Sequence, residues 1–237
     1  MSLSPGPAAA RAIHGATPIP IVALGLPPTA GDHDLFASLA KPGGSVTGFS
    51  YFGEALSAKR IEILREILPK SSVLGILHNV ADPVFREWGV QTEATVRAQG
   101  MRPVRLGLRS NSPAETMELL RSLREQGGDA VIVISDFLTA TMKDEIIRTS
   151  AELGIAVIAE QNPFVNAGAL MFYGADIPDL FRQAAAYVDR IIKGEHAGDL
   201  PIQLATEFQL IINLKTARTL NITVPPSLLA SVDEVIE

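Results

Sequence analysis

The chain has 237 residues, 47% hydrophobic and 19% charged, a net charge of −6 and no cysteine. That length buries a sizeable core in one large domain or two small ones, and zero cysteines exclude a disulfide framework and thiolate chemistry. The acidic balance without a Lys/Arg stripe argues against a nucleic-acid reader, and apolar runs such as 130–134 and 167–173 fall short of the roughly 20 residues that span a bilayer.

The chain opens on Met1-Ser2-Leu3-Ser4-Pro5-Gly6-Pro7 and an Ala-rich stretch. No basic segment precedes an apolar one there, so no signal peptide is expected. A strand is expected at 19–24 and a short helix at 34–39, ended by the break Lys41-Pro42-Gly43-Gly44. From 54 onward, short Val/Ile-rich runs alternate with longer amphipathic ones. That pattern predicts strands at 73–78, 103–108, 130–135, 156–160 and 169–173, with helices at 54–68, 83–98, 113–126 and 140–153. Such alternation implies βαβ units and a parallel sheet, hence an α/β fold. Ser112-Pro113-Ala114-Glu115 reads as a capping box, and Asp82-Pro83 repeats the cap-then-Pro order. Gly100, Gly127 and Gly154 sit just past helices, where a left-handed residue ends the last turn. After 174 come a helix at 178–193, a Gly/Pro-interrupted stretch, a strand at 202–205, the alternating Phe208, Leu210 and Ile212, a helix at 214–220 and a Pro225-Pro226 turn.

These pieces, in this order, resemble a known family. The segments are Pro20-Ile21-Val22, Leu39-Ala40-Lys41-Pro42-Gly43-Gly44-Ser45-Val46-Thr47-Gly48, Ala58-Lys59-Arg60-Ile61-Glu62-Ile63-Leu64, and Gly168-Ala169-Leu170-Met171-Phe172-Tyr173-Gly174. The tail 208–220 followed by Pro225-Pro226-Ser227-Leu228-Leu229-Ala230 completes the set. Together they are similar to the ABC-transporter substrate-binding proteins that include tryptophan and phenylalanine binders, over nearly the whole chain from Pro7. The resemblance implies the type I periplasmic-binding fold: two doubly wound parallel-sheet lobes facing a cleft, joined by three crossings. Here the crossings would lie near 47–48, 173–174 and 207–208. Lobe one would be 1–48 with 174–207, and lobe two 49–173 with 208–237. Family members carry a longer front, with a lipoprotein or secretory signal and the first βαβ units of lobe one. The resemblance therefore implies a complete lobe two, an incomplete lobe one, and a place outside the cytoplasmic membrane. It implies a small polar ligand, an amino acid with aromatic ones included, passed to a membrane permease. No cofactor, metal or nucleic acid is expected.

In open α/β sheets, ligands bind beyond the carboxyl ends of the strands, where strand order reverses. That point falls between the strand ending at His78-Asn79 and the one ending at Ser135-Asp136. The rule selects Asn79, Ser135, Asp136, Glu160 and Tyr173 as candidate ligand contacts. Asp136 suits an α-ammonium, and Asn79 and Ser135 offer neutral hydrogen bonds. Helix starts after Asp82 and after Thr139 offer backbone donors for a carboxylate. Phe137, Phe172 and Tyr173 suit an apolar or aromatic side chain, and Leu24, at the end of the lobe-one strand, is added to the candidates. The plainer reading stays open: Asp and Asn after strands also cap helices or order turns, and Glu160 reads equally as a solvated loop residue.

Catalysis is not expected. His78, Ser135 and Asp136 make a poor triad, since Ser135 and Asp136 are neighbours and no G-x-S-x-G elbow exists. G-x-x-x-x-G-K, G-x-G-x-x-G and H-E-x-x-H are all absent, and the four histidines lack metal-ligand spacing. His78 reads as structural and Trp88 as core. The alternatives are the ligand-sensing core of a transcription regulator, which needs a DNA-binding helix-turn-helix, or a flavodoxin-like enzyme. Finally, Ile21, Val22, Leu24, Phe181, Tyr187 and Ile191 are expected to lack a full sheet above them, so self-association through the incomplete lobe is expected.

Overall fold

Two parallel sheets carry the apolar runs of the chain. The computed structural model describes residues 1–4, 7–26, 35–51 and 53–237. In chain order the elements begin β1 (Ser2–Ser4), α1 (Pro7–Ala16), β2 (Ile21–Leu24), β3 (Val46–Ser50), α2 (Glu54–Ile67), β4 (Val73–Asn79), α3 (Pro83–Ala98), β5 (Arg102–Leu108), α4 (Pro113–Glu125) and β6 (Ala130–Val133). They continue α5 (Phe137–Thr141), α6 (Lys143–Glu152), β7 (Ala156–Ala159), α7 (Asn162–Ala167), β8 (Met171–Ala175), α8 (Ile177–Ile192), β9 (Gln203–Leu204), β10 (Phe208–Asn213), α9 (Leu214–Thr219), α10 (Pro226–Leu229) and β11 (Glu234–Ile236).

The chain divides into two units. One comprises Met1–Gly53 and Ala175–Phe208, the other Glu54–Gly174 and Gln209–Glu237. The first boundary lies at Gly53 rather than near 48. The reason is that Val46–Ser50, expected to be a crossing, is strand β3 and pairs with β2 on one side and β9 on the other.

The second unit holds a seven-stranded sheet in the order β11-β10-β8-β7-β6-β4-β5. Strand β4 pairs in parallel with both β5 and β6, so strand order reverses between β4 and β6. Strands β6 and β7 read Ala-Val-Ile-Val and Ala-Val-Ile-Ala and are buried throughout. A continuous apolar run is what a parallel strand covered on both faces requires. Strand β5, at the sheet edge next to β4, is more exposed than β4, β6 or β7. Helices begin where expected: Asp82 accepts from Val84 N, and Ser112 accepts from Glu115 N. The capping box at Ser112 is only half made, because the Glu115 carboxylate instead accepts from the backbone of Arg109 and Ser110. Gly100, Gly127 and Gly154 hold φ of +77°, +84° and +65°, the left-handed conformation that closes a helix.

The first unit has a four-stranded sheet, β1-β2-β3-β9, among the described residues. Strand β2 shows why it is stable. Successive side chains point to opposite faces, so Ile21 and Ala23 pack with Ala10, Leu35 and Phe36, while Val22 and Leu24 pack with Leu180, Ala184 and Tyr187. Two expectations are corrected here. Residues 35–39 are not helical (Asp34 lies outside the described residues); Leu35 and Phe36 are buried core instead. Ile21, Val22, Leu24 and Tyr187 do not lack cover, since each is at most 4% exposed. Of the six side chains named for uncovered faces, Phe181 alone is exposed, at 46%.

Candidate functional site

The reversal between β4 and β6 sets two strand ends side by side. Asn79 is the last residue of β4, and β6 runs out into Ile134, Ser135 and Asp136. Asn79 Nδ2 donates to Asp136 Oδ2 at 2.5 Å, and Asn79 Oδ1 accepts from Ala81 N at 2.8 Å. Asp136 is also the N-cap of α5. Its Oδ1 accepts from Thr139 N at 2.8 Å, and Thr139 Oγ1 accepts from Asp136 N at 2.9 Å, which makes a reciprocal capping box. The helix therefore starts after Asp136, not after Thr139 as expected, and is interrupted at Met142 before α6.

Phe137, the first residue of α5, is 88% exposed. Ser135 is buried, and its hydroxyl has no hydrogen-bond partner among the described residues. Its backbone N–H donates to Glu160 Oε2 at 3.2 Å.

Glu160 is not a solvated loop residue. It is 7% exposed and forms an ion pair with Arg60 of α2, Nη1 to Oε1 at 2.8 Å. Arg60 Nε donates to the Tyr173 carbonyl at 2.7 Å. Burial pulls the Arg60 guanidinium below its ordinary pKa, and the Glu160 charge opposes that pull. Tyr173 lines a surface cavity with Lys59, Glu66 and Asp233. Leu24 belongs to the other unit, 3% exposed within that unit's own core.

Of the seven candidates, then, Asn79, Ser135, Asp136 and Phe137 form one continuous cluster at the switch point. Glu160 joins it directly by accepting from the Ser135 N–H, and the Tyr173 backbone joins through Arg60, which sequence reasoning gave no role. A signal for Arg60 existed. It falls on the buried stripe of α2 formed by Leu56, Ile63, Leu64 and Ile67, where a charge needs a partner. Thr139 was likewise missed as half of the cap.

His78 and Trp88 are buried, at 1% and 7% exposed. His78 Nδ1 lies 3.2 Å from the Ile76 carbonyl oxygen, which favours the Nδ1–H tautomer. Burial lowers its pKa, with the hydrogen bond to Ile76 acting against that shift.

A family model described as ABC transporter substrate binding protein matches residues 5–236. The chain belongs to that family. This agrees with the resemblance carried by its sequence motifs. A tyrosine-binding protein of Clostridioides difficile (strain R20291) is 27% identical over 218 residues, covering 91% of this chain. The chain spans 61% of that relative's length. Two solved structures show the fold. A conserved domain protein of Vibrio cholerae O1 biovar El Tor has a TM-score of 0.90 at 24% identity, covering 98% of this chain and 77% of its own. An ABC domain from Streptococcus pneumonia, solved with L-Trp, has a TM-score of 0.88 at 22% identity, covering 99% and 80%. The fold is thus that of the type I periplasmic binding proteins, α/β with parallel sheets.

Proposed function

We propose that this chain is a solute receptor that binds an amino acid at the switch point of its seven-stranded sheet and passes it unchanged to a membrane permease. The observation that carries this reading is the Asn79–Asp136 pair beside an exposed Phe137. Asp136 offers a carboxylate to an α-ammonium. A carboxylate has about four lone-pair sites, and the hydrogen bonds from the Thr139 N–H and Asn79 Nδ2 leave room for a further donor. The Ser135 hydroxyl, buried and unpaired among the described residues, lies one residue before Asp136 and adds an unsatisfied polar group beneath the site. Phe137 offers a ring face to an apolar or aromatic side chain. The tyrosine-binding relative and the neighbour solved with L-Trp support an aromatic amino acid.

Binding proceeds without turnover, because the cluster pairs no nucleophile with a base. His78 is spent on a main-chain contact. The receptor works outside the cytoplasmic membrane, as its family implies. Among the described residues no helix is long and apolar enough to cross a membrane. We also retain self-association through the first unit, now on other grounds: Phe181 and Ile192 are 46% and 71% exposed three turns apart on α8.

Isothermal titration calorimetry of the purified chain against the amino acids, L-tyrosine and L-tryptophan first, tests the reading. Saturable binding with the ligand recovered intact by mass spectrometry is the expected result. Chemical conversion of the ligand, or no binding to any amino acid, overturns it.

A further inference from the structure

We propose that the buried Arg60–Glu160 pair is the positioning device of the Ser135–Asp136 segment, acting on ligand affinity without touching ligand. The side chains of Arg60 and Glu160 are 3% and 5% exposed. Every other ion pair among the described residues has at least one partner markedly more exposed. A buried ion pair is a poor route to stability, because desolvation of both charges offsets their attraction, and apolar replacements are often as stable. What such a pair supplies is directed geometry.

Here the geometry has a target. Glu160, just past β7, receives Arg60 Nη1 on one oxygen and the Ser135 N–H on the other. The planar Arg60 fork turns its Nε to the Tyr173 carbonyl on β8. One helix, α2, thereby ties together the segments just past β6 and β7 and the middle of β8. Parallel strands of this sheet end their ladder before Ser135: the pairing of β6 with β7 stops at Val133 with Ala159, and that of β7 with β8 at Ala159 with Phe172. Beyond those pairs the backbone of Ser135 is held by a side chain, not by a neighbouring strand. The next residue is Asp136, whose carboxylate must point at once to Thr139 and to Asn79. The ion pair is thus one peptide unit from the proposed ligand contact. Gly174 is part of the same packing, since a Cβ there would lie 2.8 Å from the Glu160 carbonyl oxygen.

The inference rests on Asp136 as a ligand contact, so its test has one arm that needs no ligand. The variant is Arg60→Met with Glu160→Leu, which fills the space without charge. A melting curve reports stability, amide hydrogen exchange at Asp136 and Thr139 reports local order, and calorimetry with L-tyrosine and L-tryptophan reports affinity. The expected result is a near-unchanged melting temperature, exchange at Asp136 and Thr139 faster by about tenfold or more, and affinity weaker by about tenfold. Glu160→Gln, which keeps shape and an acceptor oxygen, is measured in parallel and carries the decision should the double variant not fold. Unchanged exchange at Asp136 and Thr139 in a folded variant overturns the positioning role. If the wild type binds neither amino acid while exchange still rises, the ligand reading has failed and the positioning role stands.

Discussion

Asp136 has two duties that separate chemically. It caps α5 through Oδ1, and it holds Asn79 through Oδ2. Asp136→Ala removes both, and losing an N-cap costs about 1 kcal/mol, or about 2–4 °C of melting temperature in a chain of this size. It should also weaken amino-acid binding at least about thirtyfold, since truncating one member of a desolvated charge pair costs about 2–5 kcal/mol. Asp136→Asn keeps an acceptor for Thr139 N and removes the charge. It should keep the melting temperature and lose the affinity; calorimetry and a thermal scan together check this, and full affinity in the Asn variant would leave Asp136 as a cap alone. His78 gives a second prediction at this scale. Its folded pKa is lowered by burial, with Ile76 and the charges of Arg105, Asp136 and Glu93 acting around it. Below about pH 6.5 the unfolded chain takes up a proton that the folded one refuses. Stability is therefore full above that value and falls as pH drops toward the depressed folded pKa, by up to about 1.4 kcal/mol per unit. Urea unfolding at pH 7.5 and 5.5 should show this loss in the wild type and less of it in His78→Gln.

The elements of the second unit follow their local signals with departures at α5 and at the start of α4, and with α7 and β11, which the periodicity did not announce. The run at 140–153 reads as one helix by periodicity, yet the Asp136–Thr139 capping box begins a separate turn before it. Glu115 satisfies the donors of Arg109 and Ser110, which lie outside the helix, instead of its own N-cap. In the first unit the tightest element contact is between β2 and β3. Gly48 sits there at φ +144°, and a Cβ would lie 1.9 Å from the Ala23 carbonyl oxygen. Neither the backbone conformation nor the space admits a side chain. Gly48→Ala should destabilise the first unit by about 3 kcal/mol or more, through strain and overpacking. Limited proteolysis should then find its first cuts in residues 1–53 and 175–208. Wild-type resistance in that variant would mean that β2 and β3 are not paired as described.

At the scale of the whole molecule, each unit has its own sheet and its own apolar clusters. The sequence suggested self-association because lobe-one strands seemed too few to cover their own side chains. Strands β1 and β3 supply more sheet than expected, and β2 is buried on both faces. Among the exposed apolar side chains of that unit, which include Ile19 and Leu204, Phe181 and Ile192 share a stripe of α8. Multi-angle light scattering should therefore show association that weakens on dilution and disappears in Phe181→Glu with Ile192→Glu. A wild-type monomer at all concentrations would remove the proposal.

Sequence alone determined the alternation of strands and helices from 54 to 173, the caps at Asp82 and Ser112, and the switch point at Asn79 and Asp136. These are legible because hydrophobic period, capping and left-handed glycines are set by residues within a turn or two of each other, and because a parallel sheet turns a short apolar run into a covered strand. Tertiary structure decided the rest. Val46–Ser50 contains Thr47 and Gly48 and carries no strand-like alternation; it is a strand because β2 and β9 flank it. Glu160 became buried and structural because Arg60, a hundred residues earlier, meets it across the fold. Leu24 looked like a strand-end contact and is core, since its face of β2 is covered by α8, more than 150 residues away. A charge or an apolar side chain at a strand end has several physically sound fates, and the partner that chooses among them is set by packing, not by its neighbours in the chain.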